Sequence, residues 1–145
     1  MTLTADNLAL NITQEVHVKA SIETTFEALL DQMGPYNERG DGSPMPMKLE
    51  LRPGGRWYRD LGSDNGHFWG HVQAVIRPTL IEICGPLFAS YPCVSNVQYR
   101  LSEEGGGTLI SFKHTAMGFV SDEHRRGVNN GWATLLERIR KQAEG

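Results

Sequence analysis

Apolar and polar residues change their period twice along this chain, and the changes mark out its elements. Over residues 10–20, Ile12, Val16 and Val18 supply β-branched bulk and predict a strand. At Ser21, a residue suited to an N-cap, the period lengthens. Ile22, Phe26, Leu29, Leu30 and Met33 recur at helical spacing until Gly34-Pro35 ends the run. Residues 34–46 are rich in Gly, Pro, Asp and Asn and predict a loop, with room for a second short helix. From Met47 the chain breaks into short strand-like runs at 48–52, 56–61, 68–77, 80–84, 94–101 and 108–116, parted by Gly, Pro and Asn turns. Such spacing predicts an antiparallel meander. Ser121 or Asp122 then caps a helix running to about Ala143, roughly 33 Å at 1.5 Å per residue. Its apolar face holds His124, Val128, Gly131, Trp132, Leu135 and Ile139. Glu123, Arg126, Glu137, Arg140 and Lys141 lie opposite. The order of elements predicts an α+β fold, a curved seven-stranded antiparallel sheet wrapped around a long C-terminal helix. A curved sheet and a straight helix do not mate completely, and the hollow between them is a common ligand site.

Composition narrows the function classes. The 145 residues contain no repeat or linker, which predicts a single domain over 10–143 behind an N-terminal extension, 1–9. A net charge of −3 with scattered basic residues argues against nucleic acid, which needs clustered Lys and Arg. The densest basic group, Arg138, Arg140 and Lys141, alternates with Glu137 and Glu144 as a solvated helix face does. No apolar run approaches the ~18 residues of a membrane span. The first residues carry no positive charge and no apolar h-region, so a cytoplasmic protein is expected. Cys84 and Cys93 are too few for a disulfide framework, lack metal-ligand spacing, and could face each other across a hairpin. His67 and His71 would stand about 13 Å apart on a strand, too far to chelate one ion. Glu103-Glu104-Gly105-Gly106-Gly107 is a hairpin turn with no helix behind it to hold a phosphate. No metal and no cofactor is expected.

Four motifs fall in a familiar order: Pro53-Gly54-Gly55-Arg56-Trp57 after an acidic-apolar strand, Gly70-x-Val72 with Pro78-Thr79-Leu80, Thr108 to His114, and Gly131-Trp132. Together they resemble the START-like (helix-grip, SRPBCC, polyketide cyclase/dehydrase) superfamily. More narrowly, they are similar to the branch named for homology to the C-terminal domain of the activator of the heat-shock protein 90 ATPase. The resemblance covers about residues 10–143. It implies a β-α-α-β6-α fold with a cavity under the last helix. It also implies that Gly34-Pro35-Tyr36 and Cys84, where the family carries Trp and another aromatic, line that cavity. Members range from lipid carriers to cyclases to co-chaperone domains, so the fold does not fix the activity.

Strand alternation selects the chemistry available to the hollow. Ile110, Phe112, His114 and Ala116 share one face of the final strand, and Ser95, Val97, Tyr99 and Leu101 one face of the strand before it. With the last helix they give Val97, Tyr99, Phe112, His114, Val128 and Trp132 as expected ligand-binding residues. The strand at 80–84 can be phased two ways, with Glu82 inward beside Leu80 and Cys84, or outward behind Ile81 and Ile83. In the inward phase Glu82, Ser95 and His114 form a polar row across three strands, and Glu82 and His114 are the candidate catalytic pair for acid–base work on a carbonyl or phenol. In the outward phase His114 merely satisfies a backbone carbonyl. A nucleophilic triad is disfavoured because Ser95 lacks a strained elbow. Gly131 on the inner helix face leaves space, either for ligand or for a bulky strand residue. Residues 85–92 are apolar for a loop, and would close the cavity mouth or meet a partner, including a second copy of this chain.

Three functions therefore compete. The first is a domain that binds a small, largely apolar molecule, aromatic or lipid-like. The second is a cyclase or dehydratase type enzyme using Glu82 and His114. The third is a co-chaperone-like module acting on a heat-shock protein 90-type ATPase.

Overall fold

Ser21 turns the chain from its first strand into its first helix. Extended at φ −62°, ψ 158°, it accepts a bond from the backbone N–H of Thr24 at 3.1 Å. The cap joins β1 (Ala9–Val18) to α1 (Ile22–Met33) in the computed structural model, which describes residues 8–145. Most of the extension expected at 1–9, and with it the N-terminal targeting reading, lies outside the described residues. There follow β2 (Lys48–Leu49), β3 (Arg56–Gly62), β4 (Asn65–Ile76), β5 (Leu80–Gly85), β6 (Cys93–Glu104), β7 (Gly107–Gly118) and α2 (Asp122–Glu144). All neighbours pair antiparallel in one seven-stranded sheet ordered β1-β7-β6-β5-β4-β3-β2, so the first strand lies beside the last. No helix among the described residues is long and apolar enough to cross a membrane.

The second short helix does not form. Residues 34–47 run through turns and one isolated bridge, Glu38 to Pro44, because Gly and Pro recur too often for a helical turn to propagate. β2 is also shorter than its apolar pattern, since Glu50 leaves the ladder to serve the next turn. Its carboxylate accepts from the Arg56 backbone N–H at 2.9 Å and from the guanidinium at 2.8 and 3.1 Å. A Cβ on Gly55 would sit 1.8 Å from the Glu50 carbonyl, and Gly54 has φ +81°, which is why two glycines are required there. The turn is held on β4 by paired bonds, Gly54 N to Val72 O and Val72 N to Gly55 O, both 2.7 Å.

On β6 and β7 burial alternates as expected. Ser95, Val97, Tyr99 and Leu101 point to the core, as do Ile110, Phe112, His114 and Ala116. α2 lays Val128, Trp132, Leu135, Leu136 and Ile139 on this face. α1 adds Phe26, Leu29 and Met33 to the same buried cluster. β4 breaks the alternation. Trp57 pairs with Gly70 and Tyr58 with Phe68, leaving Trp69 as an extra residue in a bulge. His67, paired with Arg59, shares the face of Trp57, whereas His71, paired with Arg56, lies on the other. The bulge turns Trp69 toward Trp57, ring centroids 5.0 Å apart.

Candidate functional site

The expected ligand-binding residues converge. Val97, Tyr99, Phe112, His114, Val128 and Trp132 are all buried, and their rings stack in series. Tyr99 meets Phe112 at 5.0 Å, Phe112 meets Trp132 at 4.8 Å, and Trp132 meets His114 edge-on at 5.3 Å. The rings occupy the space between sheet and helix, where the sequence left a hollow.

Polar groups thread this apolar stack. The Trp132 indole N–H donates to His114 Nδ1 at 2.9 Å, and His114 Nε2 lies 3.0 Å from Ser95 Oγ. An indole nitrogen only donates, so Nδ1 carries the lone pair and the neutral ring keeps its proton on Nε2. His114 therefore donates to Ser95. Burial holds its pKa down at about 4, so the ring is uncharged at neutral pH. The Tyr99 hydroxyl is buried without a hydrogen-bond partner among the described residues, and burial pushes its pKa up.

Glu82 does not join them. Ile81 and Ile83 take the inward phase of β5, and Glu82 accepts from Gln98 at 2.8 Å and Asn96 at 3.2 Å on the outer face. It is two strand steps, about 9.6 Å, from His114 and on the opposite side of the sheet. The polar row was also shifted by two residues. Ser95 pairs with Ala116, and His114 with Val97, so Ser95 reaches the imidazole diagonally. Cys84 likewise faces outward, paired with His71, while Cys93 shares the inward phase of Ser95. Both are free thiols that cannot face each other. Tyr36 is 58% exposed and lines no cavity. Gly131 lies on the solvent side of α2 with nothing within 4 Å of a Cβ, so it opens no space toward the sheet.

A second group, which alternation could not reveal, sits where α2 begins. His124 lies two turns before Trp132 on the same helix face, about 12 Å away along the axis. Its Nδ1 meets the Tyr91 hydroxyl, and its ring packs on Phe88 at 4.6 Å. Phe88 in turn meets Trp69 at 5.7 Å. His124 Nε2 is shielded and has no partner among the described residues, and burial, with the nearby Arg125 charge, lowers the ring's pKa. Loop residues Phe88 and Tyr91 thus pack over the start of α2 at His124. Trp69 was hidden from sequence reasoning because a bulge leaves no trace in the period.

Sheet, grip and helix define a helix-grip protein of the START-like, SRPBCC class. Within that class the chain belongs to the family described as Activator of Hsp90 ATPase homolog 1-like protein, whose model matches residues 19–144. Solved structures agree in fold. An uncharacterized protein from Rhizobium leguminosarum superposes with TM-score 0.70 at 20% identity, over 94% of this chain and 95% of that one. The Aha1 dimer from Colwellia psychrerythraea gives 0.67 at 17%, over 93% and 96%. CalU16 from Micromonospora echinospora gives 0.62 at 24%, over 93% and 75%. No curated protein gives a significant match.

Proposed function

We propose that this protein binds a small, largely apolar molecule, aromatic or lipid-like, beneath the first half of α2. Val97, Tyr99, Phe112, His114, Val128 and Trp132 would contact it. The observation that carries this reading is the placement of unspent hydrogen-bonding capacity inside an apolar stack. An unpartnered buried hydroxyl such as that of Tyr99 costs about 1–3 kcal/mol, which a core built for stability alone would avoid. The stack is closed in this conformation, so entry requires the roof at Phe88 and Tyr91 to lift and the rings to part. The acid–base enzyme using Glu82 and His114 loses its carboxylate to the far face and receives no support. A probe such as anilinonaphthalene sulfonate should bind and be displaced by substituted naphthalenes or fatty acids, and Val128→Trp should abolish this. A probe displaced by no member of such a panel would remove the reading.

One further observation favours self-association beside ligand binding. Val94 and Met117 pair across β6 and β7 on the outer face, 52% and 56% exposed, with Phe119 at 54% just beyond. Large apolar side chains grouped in this way mark contact surfaces, and the Colwellia relative is described as a dimer. Sedimentation should show a dimer that Met117→Glu dissociates; a wild type that stays monomeric at high concentration rejects it.

A further inference from the structure

The buried hydrogen bonds have a direction, and the direction says what kind of ligand suits the site. Trp132 fixes the sense of the series: its N–H occupies His114 Nδ1, which leaves the ring's proton on Nε2 and aims it at Ser95 Oγ. The serine oxygen is thus already an acceptor, and its own proton must go elsewhere. Cys93, two residues before it on the same face of β6, offers a sulfur, which is a weak acceptor. Directly beside Ser95 the inner face carries only small residues, Gly85 and Ala116 in register on the adjacent strands, while the His114 ring approaches it diagonally. Cys93 beside it is only half-buried, on the side nearer solvent.

We propose that Ser95 is the specificity-determining donor of the site, so that the preferred ligands are apolar molecules bearing a carbonyl oxygen (ketone, aldehyde, ester or quinone) that accepts from the Ser95 hydroxyl in place of Cys93. His114 and Trp132 are positioning residues that hold the serine in its donating orientation. The same polarity removes Ser95 as a nucleophile activated by His114. To take the serine proton, Nε2 would need a lone pair, which would put a second hydrogen on Nδ1 against the indole N–H. This inference rests on the binding reading above and refines it.

Two probes of one shape separate the ideas: 2-acetylnaphthalene, and 2-isopropenylnaphthalene, in which CH2 replaces the carbonyl oxygen. Burying a carbonyl without a donor is unfavourable, so a purely apolar pocket prefers the alkene. A donor at Ser95 reverses the order, with the ketone bound about 3- to 10-fold tighter in calorimetric or fluorescence titrations. The bound ketone's carbonyl stretch should also move to lower frequency. In Ser95→Ala the preference and the frequency shift should both vanish. Independently of any ligand or variant, nitrogen-15 correlation spectra should show His114 with its proton on Nε2. If both probes bind and the alkene equals or beats the ketone, the donor assignment is wrong while apolar binding stands. If neither probe binds, the binding reading falls and this inference with it. A His114 ring protonated on Nδ1 overturns the proposed polarity outright.

Discussion

Along its inner face α2 meets two different environments. Its C-terminal half presents Leu135, Leu136 and Ile139 to a wholly apolar cluster shared with Phe26, Leu29 and Met33 of α1. Beside it Gln142 bonds Gln32 at 2.7 Å and Asp31 at 2.8 Å. The N-terminal half presents His124, Val128 and Trp132, and its partners are His114, Ser95 and Tyr91. The N-terminal half carries a connected series of side-chain hydrogen bonds, Trp132 to His114 to Ser95, across its buried face. Burial alone does not distinguish the part of a core that holds the fold from the part able to receive a guest. The direction and completeness of its hydrogen bonds do.

Substitutions in the two halves should therefore differ in kind. The largest stability losses are expected from truncation: about 3–5 kcal/mol for Trp132→Ala and about 2–5 kcal/mol for Ile139→Ala in urea titrations. Ile139→Ala should leave the ketone preference intact, whereas Trp132→Ala should erase it. A Trp132→Ala loss well under 1 kcal/mol would mean that the N-terminal half is not packed as described.

Next in size is a pH effect confined to the N-terminal half. His114 has a folded-state pKa of about 4 against an ordinary 6.5. Between these values the unfolded chain binds the proton and the folded one does not. Stability is thus fully present above pH 6.5 and falls as pH drops toward 4, by of the order of 3 kcal/mol. His124 acts in the same direction, its pKa lowered by partial burial. His114→Gln should flatten the acid side of a stability–pH curve by the larger share. An unchanged slope would show that the imidazole is not held neutral.

Smaller still should be Trp132→Phe, which keeps a ring against Phe112 but leaves His114 Nδ1 without its donor. About 1–3 kcal/mol should be lost, and the His114 proton should redistribute between its two nitrogens in nitrogen-15 spectra. Retention of the Nε2 form alone would mean that the indole does not set the tautomer.

What could be read in advance follows the same physical divide. Tyr99, Phe112 and His114 could be placed inward because β6 and β7 each bury one face, so a period of two fixes every side chain once one is known. β5 resisted because Leu80, Ile81, Ile83 and Cys84 are apolar on both of its faces, and the family resemblance pointed to the wrong one. The register of Ser95 against β7 differs by two residues from that expected, since the turn is centred between Gly105 and Gly106, and a shift of half a residue in a hairpin's centre moves every pair by one. Trp69 was beyond reach because a bulge inserts one residue without altering composition. His124 was rightly placed on the helix face, but its partners Tyr91 and Phe88 come from a loop whose path no periodicity encodes.

The smallest expected effect is a null one, and it tests the geometry most directly. Glu82 was the candidate partner for His114, and a carboxylate beside an imidazole raises its pKa by favouring the charged ring. Here Glu82 spends its oxygens on Asn96 and Gln98 across the outer face, with the sheet between it and His114. Glu82→Gln should leave the His114 titration where burial sets it, near pH 4, when the ring protons are followed by NMR. It should also leave the preference for 2-acetylnaphthalene unchanged, because neither Ser95 nor its proton faces that side. The substitution replaces one acceptor oxygen by a donor amide next to two other amides, so a small loss of stability on the outer face is compatible with this result. A fall in the His114 pKa in the variant is not. It would place the carboxylate inside after all and restore the acid–base pair that the structure separates.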